Sequence, residues 1–423
     1  MRQRVVITGL GVIAPNGIGK DNYWTSIKGG KSGISRITSF DVSQYPTKIA
    51  GEISDFDPAK YMSKKKAKFM SRFAQFSLAS SKMAIEDAQL DLSREDRCKV
   101  GIALGTAVGG LQIAEEQCEI FHKKGVDGVS PFSAMAMNPN AGVGAIAIEL
   151  KINGPNVTIS TACSAGVNAI AYAFETICNG RADLMVVVGA EAPLFPVTFD
   201  SFCAAQVLST RNGDPRKASR PFDKFRDGYV LSEGAGAVIL ENMEHALERG
   251  TKIYGEVAGY GMTNDSYSML KMEPTGKEVA RTMRIALENA GLAPEDIDYI
   301  NAHGSSSLVA DKRETKAIKL AFSNYAYKIP ISSIKSMIGQ PLAATGSIQF
   351  ITAALAIENN CLPPTINYEE PDPECDLDYV PNQARVHEVR VAMVNSFGQG
   401  GNNTSVILKR YTNSSKRRKC EYY

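Results

Sequence analysis

Cys163 stands in Ser160-Thr161-Ala162-Cys163-Ser164-Ala165-Gly166, a run of small residues where backbone can crowd a substrate. The preceding Asn156-Val157-Thr158-Ile159 is short and β-branched, a strand pattern. After it, Val167, Ile170, Ala171, Phe174, Ile177 and Cys178 recur at helical spacing. A cysteine at a strand-to-helix junction lies beside a helix N-terminus, whose partial positive charge predicts a lowered thiol pKa and a nucleophile. An inert cysteine buried at the start of a core helix would share this local pattern.

A cysteine nucleophile usually needs a base or cation within reach, and the chain has four histidines. His122 and His245 read as exposed helix ends, where a cation suits the dipole. His387, among Arg385, Glu388 and Arg390, reads as surface. His303 differs: it closes the apolar stretch Asp298-Tyr299-Ile300-Asn301-Ala302-His303 and is followed by Gly304-Ser305-Ser306-Ser307. The carboxyl end of a strand, before a small polar loop, is where α/β proteins place reacting groups. Lys335 lies in a short stretch ahead of Gly339 and a small-residue helix, a setting equally open to a surface lysine. Asn395-Ser396-Phe397-Gly398-Gln399-Gly400-Gly401-Asn402 is a glycine-rich turn that permits close backbone approach to a ligand, or is a plain tight turn. No P-loop or G-x-G-x-x-G frame fits at a helix start.

The elements that must position these groups show in the apolar pattern. Runs ending in glycine recur at Val5–Gly9, Val100–Gly105, Leu184–Gly189, Ile253–Gly259, Ile297–Gly304 and Val389–Gly398, with helical patterns between them. Near-continuous apolar strands alternating with helices indicate an α/β protein whose sheets are buried on both faces. The order also repeats. Ala84-Ile85-Glu86-Asp87-Ala88-Gln89-Leu90 resembles Ala286-Leu287-Glu288-Asn289-Ala290-Gly291-Leu292, and the opening strand Arg4–Gly11 has a counterpart in Tyr254–Gly261. Such self-similarity predicts a duplicated chain whose two halves leave a cleft where their strand ends meet. The expected halves are 1–250, holding Cys163, and 251–411, holding His303 and Lys335. Residues 106–150 and 192–235 read as cap insertions, and 412–423, with Lys416-Arg417-Arg418-Lys419, as a disordered basic tail.

At 423 residues, 44% hydrophobic and 22% charged, the composition is that of an ordinary soluble protein with a large core. A net charge of +2 with no basic stripe gives no ground for a nucleic-acid partner. The eight cysteines are scattered with no C-x-x-C pair, which reads as free thiols in a reducing compartment, without zinc or a disulfide frame. The first residues enter a strand at once, so no signal peptide is expected. No apolar run approaches the roughly 18 to 20 residues of a membrane span. The expectation is a cytoplasmic enzyme.

Together these pieces resemble the β-ketoacyl-acyl carrier protein synthases of the thiolase superfamily, especially synthase II, and the ketosynthase alpha subunits of type II polyketide systems. The likeness runs from Val5-Val6-Ile7-Thr8-Gly9-Leu10-Gly11 to Tyr411. It rests on Thr161-Ala162-Cys163, Arg220-Pro221-Phe222-Asp223, Arg226-Asp227-Gly228, Ser232-Glu233-Gly234-Ala235-Gly236, Asn301-Ala302-His303-Gly304 and Lys335-Ser336-Met337. The resemblance implies two similar βαβαβαββ-type halves in a layered α-β-α-β-α core. It implies that Cys163 takes an acyl chain from acyl carrier protein and that the backbone N–H groups of Cys163 and Gln399 form an oxyanion hole. His303 would polarise the malonyl thioester during decarboxylation, with Lys335 beside it. Ser305 and Ser307 would hold the pantetheine arm, and Val108 and Phe397 would contact substrate. No cofactor or metal is implied beyond the carrier's phosphopantetheine arm. A dimer is implied, each pocket completed by residues near 130 to 140 of a neighbour that is either identical or a homologous chain-length factor.

Three positions depart from that pattern. Gln340 stands where synthase II has a second histidine; an amide cannot transfer a proton near neutral pH but donates a hydrogen bond. The related synthase III and chalcone synthase families work with a Cys, a His and an Asn. Gln349 replaces a glutamate that pairs with the lysine, and Gln399 replaces a phenylalanine that gates the acyl pocket. These changes point from fatty-acid elongation towards polyketide assembly. A non-elongating chain-length-factor-like partner is the rival reading, though such partners typically lack the cysteine. A biosynthetic thiolase would need a second cysteine within 395–405, and there is none.

Overall fold

The computed structural model describes residues 3–269 and 271–412. The expected basic tail beyond Thr412 therefore lies outside the described residues. Ten strands carry the architecture. They are β1 (Val5–Ala14), β2 (Val100–Gly105), β3 (Asn156–Ile159), β4 (Leu184–Glu191), β5 (Gly234–Asn242), β6 (Gly255–Asn264), β7 (Tyr299–Asn301), β8 (Ile331–Ser332), β9 (Val391–Phe397) and β10 (Asn402–Lys409).

The strand order runs β1-β5-β4-β2-β3 in the first half and β6-β10-β9-β7-β8 in the second, the same arrangement twice. The directions repeat as well: β2 is parallel to β3 and β4, as β7 is to β8 and β9, while the last two strands of each half are antiparallel. A short antiparallel seam, Val5↔Val257, Val6↔Glu256 and Ile7↔Gly255, joins the halves.

Five helices cover these strands: α1 (Arg72–Asp87), α2 (Ala165–Cys178), α3 (Lys277–Ala290), α4 (Leu308–Phe322) and α5 (Ala344–Asn359). Helix α2 packs on β2 and β4 and reaches β10. Helix α5 packs on β9 and β7 of its own half and on β5 and β4 of the other. Both therefore lie between the sheet halves, which is why α5 is buried from Ala344 to Ile357 with no exposed face. Helix α1 lies outside β1 and β5, and α3 outside β6 and β10, completing the layered α-β-α-β-α core. Glycines set both outer contacts: a Cβ at Gly11 would come 2.1 Å from the Ser80 carbonyl oxygen, and one at Gly261 2.1 Å from that of Thr282. The duplication thus extends to how the helix is seated on the strand.

One histidine departs from the exposed helix end expected of it. His245 lies in the first half of the helix Met243–Arg249. Its Nδ1 is 2.5 Å from Glu241 and its Nε2 2.9 Å from Glu95, while Arg249 Nε donates to Glu241 at 2.9 Å. The buried Glu241 carboxylate draws the imidazole inward and raises its pKa. His122 is exposed in the last turn of Leu111–Lys124, as expected.

Candidate active site

Cys163 is positioned by a tight link from β3 to α2. Ala162, just before Cys163, has φ +53°, a left-handed conformation that costs a residue with a Cβ about 1–2 kcal/mol. The link is held by Ser164 Oγ donating to the Thr161 carbonyl at 2.8 Å and Asn168 Nδ2 donating to Thr161 Oγ1 at 2.8 Å. Cys163 keeps partial exposure, directed into a cavity of about 790 Å³. The thiol does not have the lowered pKa expected from its place near α2. Burial pushes it up to about 11, against smaller opposing effects of the Gln340 hydrogen bond and Lys335. The α2 N-terminus begins two residues on, at Ala165, too late to outweigh desolvation.

His303 enters the same cavity from the end of β7. The last residues of β9 hold both groups: Ser396 Oγ donates to the Cys163 carbonyl at 3.0 Å, and the Phe397 amide donates to His303 Nδ1 at 3.3 Å. With Nδ1 accepting, the neutral imidazole carries its proton on Nε2. Burial, reinforced by the positive charges of Lys335 and Arg313, holds His303 well below the ordinary histidine range. It is a neutral hydrogen-bond donor at physiological pH.

Acids behind the loop fix its backbone. Glu314 on α4 accepts from the amides of His303 at 2.9 Å and Gly304 at 2.7 Å, and Asp311 accepts from the amide of Ser305 at 2.9 Å. Arg226, fully buried, donates to the carbonyls of Ser307 and Leu308 and to Asp372. Lys335 is buried too, and its ammonium donates to the His303 carbonyl. Opposite it, Gln349 Oε1 accepts from Nζ at 3.2 Å, and Gln349 Nε2 donates to the Ala302 carbonyl at 2.6 Å. Lys335 thus has a neutral acceptor where the resemblance has a carboxylate. Burial lowers its pKa, and Glu314 supplies the largest opposing charge.

Gln340 faces the thiol with its amide while its Oε1 accepts from Thr345 Oγ1 at 3.4 Å. That polarity leaves the NH₂ free to point at the sulfur. Gly398 brings the glycine-rich turn against Cys163: a Cβ there would lie 3.2 Å from the Cys163 nitrogen. Gln399 follows it with an exposed side chain, and Gly400 and Gly401 have φ +77° and +80°.

Cys163, His303, Gln340, Gln399, Val108, Ser305, Ser307 and Phe397 all line the one cavity, and Lys335 lies behind His303. Sequence reasoning missed Glu314, Asp311, Arg226, Glu191 and Arg313. The spacing Asp311-x-x-Glu314 puts two acids on one side of α4, where both prove buried, but an isolated acidic pair reads as a solvated face. Arg226 was visible as part of a motif and had no role. Among the described residues no group of three His, Cys, Asp or Glu side chains is placed to hold a metal, and no helix is long and apolar enough to cross a membrane.

Comparison with known proteins adds to this geometry. The N-terminal domain model of the beta-ketoacyl synthases matches residues 2–246, and the C-terminal domain model matches residues 254–369. The chain is 46% identical over 410 residues to the 3-oxoacyl-[acyl-carrier-protein] synthase 2 of Synechocystis sp., covering 97% of this chain and 99% of that one. It is 43% identical over 409 residues to the same-named protein of Coxiella burnetii, with the same coverage. Among solved structures, it is similar to a type II polyketide ketosynthase in complex with its acyl-carrier protein and bound to the hexaketide. That match has a TM-score of 0.91 and 36% identity, over 97% of this chain and 100% of that one. The ishigamide ketosynthase/chain length factor matches with TM-score 0.92 and 35% identity, at the same coverage.

Proposed function

The chain belongs to the beta-ketoacyl synthase family, and on that premise we propose that Cys163, His303, Lys335, Gln340 and Gln399 carry out a decarboxylative Claisen condensation. The observation that carries this is the end of β9, where adjacent residues hold the Cys163 carbonyl and the His303 imidazole on one cavity.

In the first step Cys163 Sγ bonds to the carbonyl carbon of an acyl thioester delivered on the phosphopantetheine arm of acyl carrier protein. The oxyanion accepts from the amides of Cys163 and Gln399. The pantetheine thiol leaves with the proton the Cys163 thiol gives up, so a raised thiol pKa is offset only as the sulfur bonds to carbon. A malonyl thioester then enters. Its bond to the carboxylate carbon breaks, carbon dioxide departs, and the electron pair stays as an enolate. His303 Nε2–H and the Gln340 amide donate to the enolate oxygen. The enolate carbon attacks the acyl-cysteine carbonyl, and Cys163 leaves as the thiolate, which takes a proton from water. Lys335 orients His303 through its carbonyl, while Ser305, Ser307, Val108 and Phe397 contact the arm and the acyl chain. No metal or further cofactor has a part in these steps.

We place the activity in type II polyketide assembly rather than fatty-acid elongation. Gln399 supports this, since it exposes an amide where the resemblance has an apolar gate. Arg313 supports it too, lining the cavity and donating to Asp265 and Asn403, each at 2.9 Å. Fatty-acid elongation is the second reading, favoured by the higher identity to the two synthase 2 proteins. The halves 1–250 and 251–411 act as one soluble, cytoplasmic unit within a dimer. Exposed Phe132 and Met135 and the outer strand β3 support such a contact. Whether the neighbour is a second copy or a chain-length factor follows the same division between readings.

Purified protein given malonyl-carrier and either a saturated acyl-carrier or a β-polyketone thioester separates the readings. The proposal expects faster condensation of the polyketone by about tenfold, the scale of one good polar discrimination. Equal or faster elongation of the saturated chain overturns the polyketide assignment.

A further inference from the structure

Glu191 closes β4 behind the Ala107–Val108 wall of the cavity and has no solvent exposure. Its carboxylate gathers four donors from one turn. Oε1 accepts from Thr106 Oγ1 at 2.9 Å, from the Val108 amide at 3.1 Å and from the Gly109 amide at 3.2 Å, and Oε2 accepts from the Ala107 amide at 2.6 Å. Among the described residues no Lys, Arg or His forms an ion pair with it, so three backbone amides and the Thr106 hydroxyl offset its burial. The offset is incomplete: burial pushes the carboxyl up to about 7. A buried acid with no countercharge is costly, and neither the acylation nor the condensation step uses it.

The turn it holds forms one wall of the site. Ala107 and Val108 line the cavity with Cys163, and both pack with Cys163 on the cluster that holds Phe199, Leu231 and Leu342. Gly109 turns the chain back with φ +56°, its amide shared between Glu191 Oε1 at 3.2 Å and Thr106 Oγ1 at 3.1 Å. Without the carboxylate, the two consecutive amides of Ala107 and Val108 would face apolar interior, and the turn would relax away from the cavity.

We propose that Glu191 is a specificity-positioning residue, its carboxylate fixing the Thr106–Gly109 turn and through Val108 the length of acyl chain the cavity takes. The inference rests on the ketosynthase reading for the identity of the occupant.

The test uses the full chain and a panel of acyl-carrier thioesters of increasing length, with acylation rates at Cys163 read by intact mass. In Glu191→Gln an amide oxygen at the Oε1 place keeps three donors and sets an NH₂ against the Ala107 amide. The ratio of long-chain to short-chain rates is expected to shift by at least about tenfold, the scale of one methylene in an apolar pocket. The shift is expected to vanish when Glu191→Gln is made in a Val108→Ala background, since both act on the same wall. An unchanged ratio, or a shift undiminished in that background, overturns the inference. Glu191→Asp serves if Glu191→Gln does not fold; failure of both to fold makes the residue a general structural one and also overturns it. No acylation of the parent chain would instead overturn the ketosynthase reading itself.

Discussion

Gln340 is the residue on which the energetics of the second step turn. Its amide donates to the sulfur and favours the thiolate, yet it cannot shuttle a proton as an imidazole can. Replacing it with histidine restores the group the resemblance expects. Gln340→His is therefore expected to leave Cys163 acylation within about twofold and to raise malonyl decarboxylation by about a hundredfold, the low end of acid–base contributions. Stopped-flow release of carbon dioxide and intact mass read the two steps separately. Unchanged decarboxylation would remove Gln340 from the enolate step. The identity of Cys163 and His303 was legible from residue type and position in the pattern. The thiol's raised pKa was not, because desolvation depends on what surrounds the sulfur, and that is assembled from separate stretches of chain around Val108, Phe202, Tyr229, His303, Gln340 and Phe397.

At the scale of elements, strand ends carry the site and a helix start carries a charge clamp. The strands, their glycine ends and their repeat were legible because an apolar run buried on both faces needs no partner to be seen. Arg226 and Glu191 were not, since each satisfies backbone groups of a loop distant in sequence, and Glu314 was not because an acid on a helix reads as a solvated face. His245 shows the same gap, read as a free helix end and found between Glu241 and Glu95. Its folded pKa is raised above the unfolded value of about 6.5. The stabilisation is thus fully present below about pH 6.5 and is lost as pH rises through the higher folded value. Thermal unfolding of His245→Gln against the parent is expected to show its largest deficit near pH 6 and a shrinking one towards about pH 8.5. A deficit constant across that range would mean the imidazole contributes by packing alone.

For the whole molecule, duplication explains how two distant stretches come to share a cavity. The same strand order laid down twice and joined at β1 and β6 brings the carboxyl ends of both halves to one cleft, with α2 and α5 buried between them. Cys163 comes from the first half and His303 from the second, and β9 ties them together. The most direct test of that arrangement is peptide-mapped mass spectrometry after incubation with an acyl-carrier thioester, without malonyl substrate. The account predicts one acyl group per chain, on Cys163, retained in His303→Ala and released as condensed product on adding malonyl-carrier only when His303 is present. An acyl group on any other residue, or none at all, would contradict it.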